Sequence, residues 1–143
     1  MSYIINCGEQ DIENDGICIS MTYVEEGKVH PDVMFIHFID NLLGISEFIT
    51  DCDYKYAEVG IDVSGENVEN QESLKDFNLF LSKKENQDIC EILKKYVDYE
   101  FEEVGVEGGL LWYTFTIYNT GEAGRMKEED QVKFCKIFKE RVK

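Results

Sequence analysis

The sequence predicts a single α+β domain in which a mainly antiparallel sheet packs against about three helices. Two segments alternate apolar and polar residues as strands do, and a Gly-Gly turn joins two further β-rich segments. Other segments repeat apolar residues at helical spacing. A chain of 143 residues has the length of one domain, and no linker or repeat divides it. We therefore expect residues 1–143 to form one globular domain.

The first predicted strand covers residues 17–24 and follows the turn signal Asn14-Asp15-Gly16. The preceding Asp11-x-Glu13-x-Asp15-Gly16 resembles the start of an EF-hand calcium loop. However, Thr22 stands at the twelfth position, where such a loop needs a bidentate glutamate. This segment is therefore interpreted as an acidic turn before a strand.

A helix is predicted over residues 31–43, because Pro31 suits the first helical position and Gly44 follows the apolar stretch. A buried strand over residues 33–39 is the alternative, since Val, Phe and Ile occupy both of its faces. The same run is too short to span a bilayer, and we expect no association with a membrane.

A second strand is predicted over about residues 54–63. Its apolar face carries Ala57, Val59, Ile61 and Val63. Glu58 and Asp62 lie on its other face, an alternation typical of a sheet with one covered side.

Two later helices are predicted. Ser82 and Glu85 have the spacing of a capping box, and a helical stripe follows at Ile89, Ile92, Leu93 and Tyr96. The last helix covers about residues 127–142, with an apolar stripe at Val132, Cys135, Phe138 and Val142. Its acidic first turn and basic last turn complement the helix dipole, so the basic end of the chain has a structural explanation.

The strongest β signal is a hairpin of residues 98–106 and 110–119 around Gly108-Gly109. If these glycines form the loop, Glu107 pairs with Leu110 and Val104 with Tyr113. One face is then predicted to hold Glu100, Glu102, Val104, Val106, Leu111, Tyr113, Phe115 and Ile117. The other is predicted to hold Tyr99, Phe101, Glu103, Trp112, Thr114, Thr116 and Tyr118. Such a hairpin is either covered on both faces or presents aromatic residues to a partner.

No cofactor or metal site is expected. The cysteines are odd in number, lack metal-ligand spacing and are expected to be free thiols, with Cys90 and Cys135 buried. His30 is interpreted as a cap or turn residue and His37 as a side chain at the edge of the core. The strand-to-helix connection 119–125 lacks the lysine of a phosphate-binding loop. With no signal peptide after Met1, a cytoplasmic location is expected.

The formal net charge of −16 is the main indication of function. Residues 1–124 hold 26 acidic and 7 basic side chains, which disfavours direct binding of nucleic acid. An acidic protein can instead bind the basic active-site cleft of a toxin or a nucleic-acid-processing enzyme. We therefore expect a nucleic-acid mimic that neutralises a basic protein, such as an immunity-type inhibitor or a phage anti-defence protein. The expected contacts are Asp98, Tyr99, Glu100, Glu102, Glu103, Glu107, Trp112 and Tyr113.

Two alternatives remain open at this point. Asp51 with Asp53, or Glu100 with Glu102, would present two carboxylates on one face of an extended chain, as small hydrolases and metal-dependent enzymes require. The acidity can also serve only solubility in a ligand-binding or scaffold module. We favour the non-enzymatic inhibitor.

Overall fold

The computed structural model has an α+β fold and describes residues 3–24, 27, 30–63, 77–107, 110–121 and 125–142. The strands are β1 (Tyr3–Asp11), β2 (Gly16–Val24), β3 (Tyr56–Asp62), β4 (Asp98–Glu107) and β5 (Leu110–Tyr118). The helices are α1 (Pro31–Asp51), α2 (Phe77–Ser82), α3 (Gln87–Tyr96) and α4 (Glu128–Arg141). The predicted Gly108-Gly109 turn lies outside the described residues.

The strands form one sheet in the order β1-β2-β3-β5-β4. Only β2 and β3 run parallel, and the other three pairs are antiparallel, which confirms the predicted fold class. The sequence patterns predict neither β1 nor the six-residue helix α2. Residues 12–15 form the turn between β1 and β2, with Asp15 at φ 54°, so the acidic turn is confirmed.

One face of the sheet forms the core. Ile17, Met21 and Tyr23 of β2, Ala57, Val59 and Ile61 of β3, and Tyr113, Phe115 and Ile117 of β5 are all buried on it. From α1, the Phe35 and Phe38 rings contact Tyr113 with centroids 5.8 and 5.2 Å apart. From α2, the Phe77 ring lies 5.4 Å from Phe115. The helices therefore cover the face on which the strands place their large apolar side chains.

Helix α1 is longer than predicted and continues through Gly44 to Asp51. Ile45, Ser46 and Ile49 are buried, so packing beyond residue 44 offsets the cost of about 1 kcal/mol for a glycine inside a helix. The prediction that Gly44 ends the helix is therefore wrong. At the N-terminus, His30 Nδ1 accepts a hydrogen bond from the Asp32 amide at 3.1 Å, which confirms its capping role.

By length and composition, α1 is apolar enough to cross a membrane, unlike the shorter run of residues 33–39 considered alone. In the structure, 61% of the apolar segment of α1 is buried inside the protein, as expected of a core helix.

His37 lies at the edge of the core, as predicted. The rings of Tyr23 and Phe138 lie 5.7 and 5.1 Å from its ring.

The prediction that Ser82 and Glu85 form a capping box is wrong. Ser82 Oγ donates to the carbonyl of Leu79 at 2.8 Å, and α3 begins only after a 3₁₀ turn, Lys84–Asn86. The stripe predicted for this helix is confirmed, because Ile89, Ile92, Leu93 and Tyr96 are all buried. Cys90 is also buried, as predicted.

The stripe predicted on α4 is confirmed for Phe138 and Val142 and wrong for Val132 and Cys135. Phe134 is buried and Ile137, Phe138 and Val142 are partly buried against the core, whereas Val132 is 64% exposed. Cys135 is exposed and not buried as predicted. Apolar residues occupy more than one side of α4, so spacing alone does not select the side that packs.

Candidate functional site

The sheet face opposite the helices is the candidate site, and we call it the open face. Its described side chains come from every strand: Glu9, Cys18, Ser20, Thr22, Tyr56, Glu58, Asp62, Asp98, Glu100, Glu102, Trp112, Thr114, Thr116 and Tyr118. Helices α1 and α2 pack against the other face, where Phe35, Phe38 and Phe77 contact β5.

A β-bulge in the hairpin determines which side chains reach the open face. Glu107 pairs with Leu110 as predicted, but the register shifts by one residue between Glu102 and Gly105. Glu102 consequently pairs with Thr114. Directly opposed residues of paired strands share a face of the sheet. The one-residue shift therefore places the β4 residues before the bulge on the opposite face from the one that an uninterrupted ladder predicts.

The predicted faces of residues 99–102 are therefore wrong. Tyr99 and Phe101 lie on the core face, where the Phe101 ring stacks on Phe115 at 5.0 Å. Glu100 and Glu102 lie on the open face together with Trp112. The error follows from assuming an uninterrupted ladder between β4 and β5. In the observed register, Glu100, Glu102 and the single tryptophan lie on the same surface.

The indole of Trp112 lies over Gly60 in the neighbouring strand. A Cβ atom at position 60 would lie 3.3 Å from Cε3 of the indole, so the missing side chain leaves room for the ring. Trp112 is half-buried. A large, nearly rigid aromatic side chain in this setting is typical of the anchor of a protein interface.

Tyr118 lies at one end of the open face beside the carboxylates of β4. Burial and the neighbouring negative charges, chiefly Glu100, raise the pKa of its hydroxyl group above the ordinary value. A hydrogen bond to Glu100 contributes to the same shift. Tyr118 is thus held as a neutral hydrogen-bond donor next to negative charge.

The strands carry negative charge only. Their sequences contain nine Asp and Glu residues and no Lys or Arg. Helices α3 and α4, in contrast, contain six Lys and Arg residues. None of the ion pairs between described residues uses the carboxylates of Glu58, Asp98, Glu100 or Glu102.

The spacing of these carboxylates makes their fields add. Glu100 and Glu102 are alternate residues of one strand, so they lie about 7 Å apart. Glu58 and Glu100 are separated by β5, which corresponds to about 10 Å. Since the Debye length at physiological salt is about 8 Å, neighbouring charges are only partly screened from one another. The part of the open face formed by β3, β5 and β4 is therefore a continuous negative surface.

The structure brings together only part of the predicted contact set. Asp98, Glu100 and Glu102 are exposed on the open face, and Trp112 lies beside them. Tyr113 is fully buried, and burial raises the pKa of Tyr99 to about 12, so both tyrosines belong to the core side. The backbone of Glu103 and Glu107 lies in β4, and their side chains lie outside the described part.

The predicted contact set omitted Glu58, Asp62, Tyr56 and Tyr118. The alternation of β3 already places Glu58 and Asp62 away from the core, but only the sheet order reveals that β3 lies next to β5. The order of the strands, and not the sequence pattern of any one strand, therefore places these residues beside the predicted contact residues.

The two carboxylate pairs considered for catalysis have different outcomes. Asp51 ends α1 and forms an ion pair with Arg125, while Asp53 follows at φ 59°, so this segment is not extended as the pair requires. Glu100 and Glu102 do share one face of a strand. Among the described residues, no group of three or more His, Cys, Asp or Glu side chains is arranged to hold a metal ion.

Comparison of the chain with protein-family models, with curated proteins and with solved structures found no match.

Proposed function

We propose that this protein binds a basic protein through the open face and blocks the surface that this partner uses. The carrying observation is that the open face places Glu58, Asp98, Glu100 and Glu102 on the same surface as the half-buried Trp112, in strands whose sequences contain no Lys or Arg. Charge of one sign steers an oppositely charged partner and raises the rate of association. Trp112 and Tyr118 supply contact area that charge alone does not.

The fixed geometry of the sheet favours a blocking role over loose attraction. Carboxylates on adjacent strands keep their spacing because backbone ladders hold them, so binding does not require ordering of a flexible chain. A basic cleft that normally holds a nucleic-acid backbone presents cations to such an array. The proposed partner is therefore a toxin or nucleic-acid-processing enzyme, and the proposed role is that of an immunity-type or phage anti-defence inhibitor acting in the cytoplasm.

Charge reversal on the open face tests the proposal. A variant with Glu58→Lys, Glu100→Lys and Glu102→Lys is compared with a matched variant carrying Glu85→Lys, Glu91→Lys and Glu140→Lys, all exposed and outside the sheet. Both variants change the net charge equally. We expect a partner captured from a lysate at about 0.15 M salt to be lost from the first variant and retained by the second. Equal loss from both would show that only the total charge matters and would contradict the proposal.

Stoichiometry provides the second test. The chain contains a single tryptophan, so the change in its fluorescence on titration with the captured partner reports on the open face directly. We expect saturation at one partner per chain, together with loss of the partner's activity at the same ratio. Chemical alteration of the partner by substoichiometric amounts of this protein would instead support the hydrolase alternative with Glu100 and Glu102 as the candidate pair.

A further inference from the structure

A second site lies on the helical side of the molecule, between α1 and α4. A cavity of about 400 Å³ opens there, within the range of small-ligand sites. We call it the interhelix groove. Its lining residues are Asp40, Leu43, Gly44, Glu47, Tyr96, Met126, Gln131, Phe134 and Cys135.

Two contacts flank the groove along α1, one before Asp40 and one after Glu47. At one end the rings of His37 and Phe138 meet edge to face with centroids 5.1 Å apart. At the other end Asp51 pairs with Arg125, just before α4. Because an early residue of α1 meets the end of α4, and the end of α1 meets the segment before α4, the two helices run antiparallel with the groove between these contacts.

Gly44 opens the space on the α1 side. A Cβ atom at this position would meet no other atom within 4 Å, so neither close packing nor a positive φ requires a glycine there. Glycine inside a helix is unfavourable relative to alanine. Its effect here is to keep the wall of the groove free of a side chain.

The floor of the groove is apolar and firmly held. Leu43, Tyr96 and Phe134 are buried at its base. Ser46 Oγ donates to the Tyr96 carbonyl at 2.9 Å, and the Lys127 amide donates to the Tyr96 hydroxyl at 3.2 Å. These bonds tie all three helices to the same tyrosine, so the floor is preorganised.

The charged groups that line the groove are two carboxylates. Asp40 and Glu47 lie on the α1 stripe that also carries Leu43 and Gly44, seven residues apart, which corresponds to about 10 Å along the helix. Neither forms a hydrogen bond or ion pair with a residue that the structure describes, and the lining contains no Lys, Arg or His. The complement of this arrangement is a flexible apolar chain with a cation at each end.

We propose that the interhelix groove binds a linear polyamine. One terminal ammonium group pairs with Asp40 and the other with Glu47. The methylene groups contact Leu43 and Phe134, and the secondary ammonium group faces the open side of the groove, where water solvates it. An extended triamine such as spermidine has its terminal nitrogens at a separation comparable to that of the two carboxylates. A charged group at each end of an apolar floor selects for length as well as for charge.

Calorimetric titration of the full chain with spermidine in about 0.15 M salt tests the proposal, because this salt weakens generic attraction to an acidic protein. We expect one saturable site and weaker binding of the shorter putrescine. Asp40→Asn and Glu47→Gln should each weaken binding about tenfold, the effect of losing one charge-assisted hydrogen bond. The matched variant Glu91→Gln removes an exposed charge outside the groove and should bind as the wild type does.

Two further measurements locate the site. Gly44→Phe should abolish binding by filling the groove, with circular dichroism to establish that the variant is folded. Amide chemical shifts of the unmodified chain should change most at Gly44 and in residues 126–135. Non-saturable binding, equal affinity for butylamine, or shift changes confined to the open face would each overturn the proposal, and these results do not depend on Gly44→Phe folding correctly.

Discussion

Trp112 and Gly60 fit together on adjacent strands of the open face, with the indole lying over the glycine backbone. A Cβ atom at residue 60 would lie 3.5 Å from Cζ3, an ordinary contact, and 3.3 Å from Cε3, which is closer than Cβ atoms normally pack. The glycine therefore sets the position of the only tryptophan in the chain, and with it the shape of the proposed binding surface.

Gly60→Thr is expected to displace the indole towards solvent. The strand preference of a β-branched residue opposes the steric cost, so we expect stability to change by no more than about 1 kcal/mol. The tryptophan emission maximum should move to longer wavelength. Thr116→Val, on the same face but paired with Glu58 and Glu100, serves as the control and should leave the emission unchanged. An unaltered spectrum in Gly60→Thr would contradict the observed packing.

Asn86, and not Ser82, is expected to hold the beginning of α3 in place. Its fully buried side chain donates to the Phe80 carbonyl at 2.7 Å and accepts from Arg141 at 2.5 Å. Asn86→Ala removes both bonds and leaves buried groups unpaired, which should lower the free energy of unfolding by about 2–3 kcal/mol. Urea denaturation measures this directly.

Ser82→Ala provides the comparison for that measurement. Its hydroxyl is exposed and bonds only to the Leu79 carbonyl, so the loss should be below about 0.5 kcal/mol. A loss near 1 kcal/mol is typical of a true N-cap and would support the capping box predicted from the sequence.

Local sequence patterns were sufficient to predict those helices and strands that have one clearly buried face and one clearly exposed face. Strands β2 and β3 bury alternate residues, and α3 buries one stripe, so each pattern predicts its element. Gly44 misled the prediction because the benefit of burying Ile45 and Ile49 appears only once the sheet is formed. Strand β1 was not predicted, since Tyr3–Asp11 lies at the edge of the described sheet, pairs there with β2 alone, and includes Gly8, Glu9 and Gln10.

The candidate site was less predictable because it depends on two non-local features. The bulge between Glu102 and Gly105 decides on which face of the sheet Glu100 lies, because one extra residue in β4 moves it to the opposite face. The order of the strands decides that Glu58 lies two strands from Glu100. Neither feature follows from alternation within a single strand.

Acid should destabilise the junction of α3 and α4 through Asp130. Its carboxylate accepts hydrogen bonds from Tyr96 and from Lys95, the latter at 3.0 Å, and these hold its pKa below the ordinary value of 3.8. A carboxyl whose pKa is lower in the folded state stabilises fully above the unfolded pKa and loses this contribution as the pH falls through the folded pKa.

Asp130→Asn should therefore flatten the acid limb of the stability curve. Thermal melts between about pH 5 and pH 2 should show a smaller decrease in Tm for the variant than for the wild type. Glu128→Gln removes a carboxylate from the same first helical turn that makes neither hydrogen bond, and it should retain the steeper decrease. Parallel curves for Asp130→Asn and the wild type would show that these bonds contribute nothing.

Asp40 should affect stability in the opposite direction. Although the residue is at the rim of the interhelix groove, surrounding protein atoms displace water from its carboxyl group and raise its pKa above 3.8. A carboxyl with a raised folded pKa favours the folded state below the unfolded pKa, and this advantage is lost as the pH rises through the folded pKa.

Asp40→Asn, which has nearly the same helix propensity, should therefore raise the Tm at about pH 7 and bring no such gain below about pH 3. Thermal melts of both proteins at the two pH values measure the difference, with the acidic sample as the internal control. A Tm at neutral pH equal to or below that of the wild type would show that the Asp40 carboxylate is not penalised by burial.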